Sequence, residues 1–214
     1  MVDNTFLGPL FQHPLEHGAD LVIYSGTKYI GGHSDIIAGA CVGNKEDITT
    51  LKRERGEDGD MLDSFSAWLA TRSLETLWGR MTDHVENAER IAPFLAQHKK
   101  VSRVHYLGLL DKASEQYRIY QKQCLSPGAI ISFEVVGGKT EAYRFLDELG
   151  IFKLAVSLGS TGSLAQSPRF MTHRGVDDES KDRMGITPSL IRLSIGLEDP
   201  DDLIYDLEQA LKAV

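Results

Sequence analysis

Apolar residues along this chain fall into two alternating rhythms. Leu21-Val22-Ile23-Tyr24 is a continuous β-rich run and predicts a buried strand. Ser25-Gly26-Thr27-Lys28 and Gly31-Gly32 follow as a polar loop, and Ile36 to Val42 predicts the next strand, ended by Gly43-Asn44. From Phe65 to Gln97 the rhythm becomes helical. Trp68, Leu69, Leu74, Leu77, Met81, Val85, Ala88, Ile91 and Leu95 recur mostly three and four apart, with Gly79 or Pro93 as candidate breaks. Beyond it, strands are expected over Val101–Tyr106, Ala129–Val136 and Leu190–Ile195, the last half-buried by its alternation, and helices over Ser114–Gln123 and Lys139–Leu149. Asp199-Pro200-Asp201-Asp202 carries a cap, a first-turn proline and acids that suit the dipole, so a final helix starts there. Interleaved strands and helices predict an α/β layered fold, with a boundary near residues 75 to 90.

Composition narrows the options. The chain has 214 residues and a formal net charge of −8, with no basic stripe, which argues against a nucleic-acid partner. Its apolar runs are only strand-sized, so no membrane span is expected, and Met1-Val2-Asp3-Asn4-Thr5 has no look of a secretory leader. Cys41 and Cys124 are the only cysteines, and the reading is two reduced thiols in a cytoplasmic protein.

The densest chemistry lies between Asp20 and Asp35. Ser25, Thr27, Lys28, His33 and Ser34 crowd around three glycines just past a buried strand, where α/β proteins hold ligands. Hydroxyls and amides there could receive a phosphate, and the lysine could form a Schiff base. Ser25-Gly26-Thr27-Lys28 also matches Ser-x-x-Lys, but its Ser-Asp-Asn and Lys-Thr-Gly companions are missing. Gly138-Lys139-Thr140 fails as a P-loop because Phe133 stands where a glycine is required. His13 and His17 lack the glutamate of a metalloprotease motif, and no ligand-spaced cluster predicts a metal. Arg192, inside an apolar strand, is either an edge residue facing solvent or a bidentate clamp on a carboxylate.

Taken in order, Val2 to Phe6, His17 to Asp20, Ser25 to Asp35, Ala155 to Gly159, Ser163 to Ala165, Met171 to His173 and Ile191 to Asp199 resemble the trans-sulfuration (Cys/Met metabolism) family of enzymes that use pyridoxal 5'-phosphate (PLP). The look is nearest to methionine γ-lyases and cystathionine γ-lyases, from end to end. The resemblance implies the fold type I PLP-transferase architecture, with the end of the large cofactor domain over residues 1–80 and the smaller carboxy-terminal α/β domain over 81–214. Lys28 matches the Schiff-base lysine, which also moves protons, and Asp3 the carboxylate that pairs with the pyridine nitrogen. Ser25 and Thr27 match phosphate-binding hydroxyls. Arg192 matches the α-carboxylate clamp, with Ser157 and Thr172 in the same substrate pocket.

The implied activity is carbon–sulfur lysis, an α,γ-elimination of methionine, homocysteine or cystathionine to a 2-oxo acid, ammonia and a thiol. γ-Replacement by a synthase or acylhomoserine sulfhydrylase, or a truncated, non-catalytic family fragment, are the alternatives. Val156 stands where many cystathionine enzymes carry glutamate, as in the methionine γ-lyases. Family members are homo-oligomers, dimers or tetramers, acting on small sulfur amino acids. They are about twice this length, so the 214-residue chain alone is expected to bind PLP weakly.

Overall fold

The computed structural model describes residues 1–214 and builds two sheets joined by a long helix. Chain order is β1 (Val2–Asp3), α1 (Gly8–Phe11), β2 (Leu21–Ser25), a five-residue wide turn (Gly26–Ile30), β3 (Gly39–Gly43), α2 (Lys45–Asp58), α3 (Ser64–Glu75) and α4 (Leu77–Gln97). Then come β4 (Val101–His105), α5 (Glu115–Gln123), β5 (Ile130–Val135), α6 (Lys139–Asp147), β6 (Lys153–Leu154), β7 (Leu164–Gln166), α7 (Asp178–Arg183), β8 (Leu190–Ser194) and α8 (Pro200–Leu211). The architecture is α/β, as expected. No helix is long and apolar enough to cross a membrane.

In the first sheet β2 lies between β1, parallel to it, and β3, antiparallel. The second has the order β4-β5-β8-β7-β6, antiparallel except where β6 meets β7. β5 shows the period of two expected of a strand with one core face: Ile131, Phe133 and Val135 are buried, while Ile130, Ser132 and Glu134 are half-buried. Those side chains join Ile191, Leu193 and Ile195, Ala88, Ile91 and Leu95 of α4, Phe145 of α6 and Leu203 and Leu207 of α8 in one core of 21 buried residues. A second, four-residue cluster of Tyr29, Leu77, Met81 and Leu158 marks the seam between the sheets.

Several local expectations needed correction. The helical stretch breaks at Thr76, where φ is −103° and ψ 1°, and neither Gly79 nor Pro93 ends it. Pro93 lies inside α4, and the carbonyl of Glu89 that its missing N–H would have served belongs to an exposed residue. The strand expected from Ile36 starts at Gly39, because Ile36 turns inward against Gly31, just past the wide turn. β8 is not half-buried: Leu190, Ile191, Leu193 and Ser194 are all covered, and only Arg192 is partly open. It is an interior strand, enclosed on both faces, which also removes the edge-strand reading of Arg192. Helix α2 was not foreseen, since its polar run buries nothing. Asn44, accepting from the Asp47 amide, and Gly59 at φ 80° were its readable end signals. Asp199 caps α8 as expected, accepting from the Asp201 amide.

Candidate active site

Lys28 projects from the wide turn that follows β2. The chain cannot continue as a strand there because the Gly31 amide folds back to the Gly26 carbonyl (2.8 Å) and that of Gly32 to the Lys28 carbonyl (2.7 Å). Gly159, at φ +74°, lies flat on the Lys28–Tyr29 peptide. A Cβ there would stand 2.8 Å from the Tyr29 nitrogen and 3.2 Å from the Lys28 carbonyl carbon. The lysine side chain opens into a cleft of ≈ 640 Å³ whose walls include Asp3, Ser25, Gln12, Cys124 and Leu158.

Three segments far apart in sequence meet at this amine. Lys28 Nζ donates to Ser157 Oγ at 2.8 Å. The Ser157 carbonyl in turn accepts from Arg192 Nη2 at 2.8 Å, and the Val156 carbonyl from the same nitrogen at 3.1 Å. Burial, then the nearby Arg192 charge, pushes the Lys28 amine below the ordinary lysine range, which enlarges the free-base fraction a nucleophile needs. Burial lowers Arg192 as well, but a guanidinium keeps its proton at any physiological pH.

The other anticipated residues fall around this centre. Asp3 ends β1 opposite Ile23, and its Oδ1 accepts from the Thr5 amide at 2.9 Å, leaving Oδ2 without a protein partner. Ser25 shares the cleft with Asp3 and Lys28. Thr27 does not line it: its hydroxyl accepts from the Ala38 amide at 3.1 Å and closes the loop between the wide turn and β3. Thr172 is exposed, its hydroxyl 3.0 Å from His173 Nδ1. It reaches Arg192 only through Gln166, whose amide end lies 3.5 Å from the Thr172 hydroxyl. With the Gln166 oxygen turned to the guanidinium, it accepts from Arg192 at 2.9–3.1 Å.

Gln166 was not anticipated as a site residue. It is almost completely buried, and β7 pairs it directly with Arg192 across the sheet. Thr5 was missed too: its hydroxyl accepts from the Ser25 amide at 2.9 Å, tying β1 to β2 beside the cleft. Such pairings depend on strand register, which single-sequence patterns do not carry.

An amine with a lowered proton affinity, a carboxylate with a free oxygen and a serine hydroxyl in one cleft make a donor set that suits an aldehyde-bearing pyridine phosphate. The family description "Cys/Met metabolism PLP-dependent enzyme" matches residues 1–212. The chain belongs to that family. Its cofactor is accordingly pyridoxal 5'-phosphate, and its enzymes act in sulfur amino-acid metabolism. The chain is 44% identical to L-methionine gamma-lyase of Pseudomonas putida, all of this chain matching 54% of that protein. It is 42% identical to cystathionine gamma-lyase of Dictyostelium discoideum, covering 99% of this chain and 54% of the relative. In three dimensions it matches a crystal structure of cystathionine gamma synthase from Xanthomonas oryzae pv. oryzae with aminoacrylate and cysteine (TM-score 0.94, 41% identity, 99% of this chain and 55% of that one). A cystathionine gamma-lyase from Micromonospora echinospora matches equally well (TM-score 0.94, 40% identity, 100% and 56%). The chain spans about half the length of the relatives it matches.

Proposed function

We propose that the protein carrying this chain is a PLP-dependent carbon–sulfur lyase that performs α,γ-elimination on methionine, homocysteine or cystathionine. The observation that carries this reading is the Lys28 amine, held 2.8 Å from Ser157 in the cleft that also presents Asp3 and Ser25. Lys28 would hold the cofactor, Asp3 would pair with its ring nitrogen, and Ser25 would take its phosphate, with Thr27 fixing the loop beside it. When bound, the cofactor supplies an electron sink for charge developing at the substrate α-carbon.

The remaining work falls to this chain's own side chains. Lys28, once the substrate amine has taken its place on the cofactor, would be a free amine of lowered proton affinity and would take the α-proton as general base, a role worth about 10²–10⁴ in rate. Arg192, anchored by the Val156 and Ser157 carbonyls and by Gln166, orients the substrate carboxylate. Ser157 holds Nζ near that same carboxylate, and Thr172 extends the pocket through Gln166. Val156, 54% exposed beside Ser157, offers no charge to a distal amino group, which favours methionine over cystathionine as substrate. The fit to a cystathionine gamma synthase at TM-score 0.94 keeps γ-replacement as the second reading.

In the same reading residues 1–80 belong to the cofactor domain and 81–214 to the carboxy-terminal one. The protein works in the cytoplasm as a homo-oligomer, a dimer or tetramer. Phe65, Trp68 and Trp78, each more than half exposed, supply an apolar face for that contact.

Borohydride reduction of the PLP-loaded protein followed by peptide mass mapping tests the site. The label is expected on Lys28, and Lys28→Ala should lower turnover about 10³-fold or more. Labelling at another lysine refutes the assignment. Incubation with methionine or cystathionine should release 2-oxo acid without added thiol. Turnover only of an acylhomoserine with sulfide would establish replacement instead.

A further inference from the structure

Arg80, in the first turn of α4, is only 6% exposed and faces no carboxylate, although buried cations are ordinarily paired with one. Arg169, the other arginine as deeply buried, follows the usual pattern, with Asp178 at 3.1 Å and Asp182 at 2.6 Å. Arg80 directs its donors to main-chain oxygens instead. Nη1 reaches the Tyr29 carbonyl (2.7 Å), Nη2 the Ile30 carbonyl (3.3 Å) and the Ser73 carbonyl near the end of α3 (2.9 Å), and Nε the Thr76 hydroxyl (3.0 Å).

Two of those acceptors belong to the residues immediately after Lys28. In a continuing helix they would be closed by amides one turn on, but the turn stops at Ile30 and the Gly32 amide goes back to Lys28. The guanidinium fills the role that those amides leave. It comes this near because residue 32 is glycine at φ +75°: a Cβ there would stand 2.0 Å from Arg80 Nη1. The Lys28–Tyr29 peptide is thereby held from two directions, Gly159 against its plane and Arg80 on the following carbonyls.

We propose that Arg80 is a positioning residue for Lys28, fixing the turn through the Tyr29 and Ile30 carbonyls so that Nζ stays in the cleft within reach of Ser157. The role is geometric. The influences that shift the Lys28 amine are burial and Arg192, with no contribution from the Arg80 charge. A turn released from Arg80 lets the amine swing into water and away from Arg192, which weakens both. The inference rests on Lys28 as the reactive amine.

Trace acetic anhydride labelling across pH, with peptide mass readout on the cofactor-free protein, follows the Lys28 free amine directly. In the wild type, Lys28 should titrate below the ordinary lysine range. In Arg80→Met its curve should move up towards that range, with labelling at pH 8 falling about threefold. Arg80→Lys should move it the same way, because one ammonium cannot bridge carbonyls on both segments. Thr76→Val removes the Nε acceptor and the hydroxyl's own bond to the Ser73 carbonyl but leaves the Tyr29 and Ile30 contacts in place, and should move it less. If Arg80→Met does not fold by circular dichroism, the other two variants decide. Curves that superpose on the wild type while only the melting temperature drops would overturn the inference and leave Lys28 as read. A wild-type Lys28 that titrates in the ordinary lysine range would instead overturn the reading of Lys28 itself, and Arg80's role with it.

Discussion

Ile131, Phe133, Ile191 and Leu193 of the five-stranded sheet are fully enclosed beneath α4, α6 and α8, whereas Val22 is the only buried strand residue of the three-stranded sheet. Around that smaller sheet Ile37, Met61, Phe65, Trp68 and Trp78 are more than half exposed, and α2 buries nothing. One lobe thus has a core of its own. The other leans on it through the Tyr29–Leu77–Met81–Leu158 cluster and on Arg80's bonds to the wide turn. Lys28 belongs to the less covered lobe, while its hydrogen-bond partner Ser157 and the nearby Arg192 belong to the enclosed one.

Three measurements sharpen or break this contrast. The largest effect should come from the enclosed lobe: Phe133→Ala, at a position with no exposure and an edge-to-face contact to Phe145, should cost about 3–5 kcal/mol in urea unfolding. A loss under about 1 kcal/mol would mean the larger core is not the one that holds the fold.

Next comes the seam. His84 of α4 is buried, with its Nδ1–H donating to the Ile195 carbonyl at 2.7 Å, and burial pushes it down to about 4. The unfolded chain takes up this proton below about 6.5 and the folded one does not until near 4, so stability falls as pH drops through that window. Relative to His84→Gln, the wild type should lose about 2 kcal/mol more between pH 7 and pH 5. Parallel losses in the two proteins would remove His84 from the seam's energetics.

The smallest effect belongs to the open lobe. Phe65→Ser with Trp68→Ser should change unfolding free energy by only about 0.5 kcal/mol while reducing self-association in sedimentation velocity. A loss above about 2 kcal/mol in the monomer would show that these side chains already pack in a core.

The α/β class, the strand before Lys28 and the caps of the final helix are all local in origin. Periodicity, β-branched runs and the Asp199-Pro200 start act within a few residues of themselves and need no partner to be read. Lys28, Asp3, Ser25 and Arg192 were legible as site candidates through the family resemblance. The helix break at Thr76, the cover on both faces of β8, the Gln166–Arg192 pair and the diversion of the Thr27 hydroxyl to Ala38 were not. Each depends on which strand or turn lies alongside, a long-range choice made by packing and register. Composition and local pattern determined most of the elements and marked Lys28 as a candidate amine. Only the folded arrangement brought Ser157 and Arg192 to it, and lodged a buried guanidinium against the turn behind it, because both required surfaces from distant parts of the chain to close together.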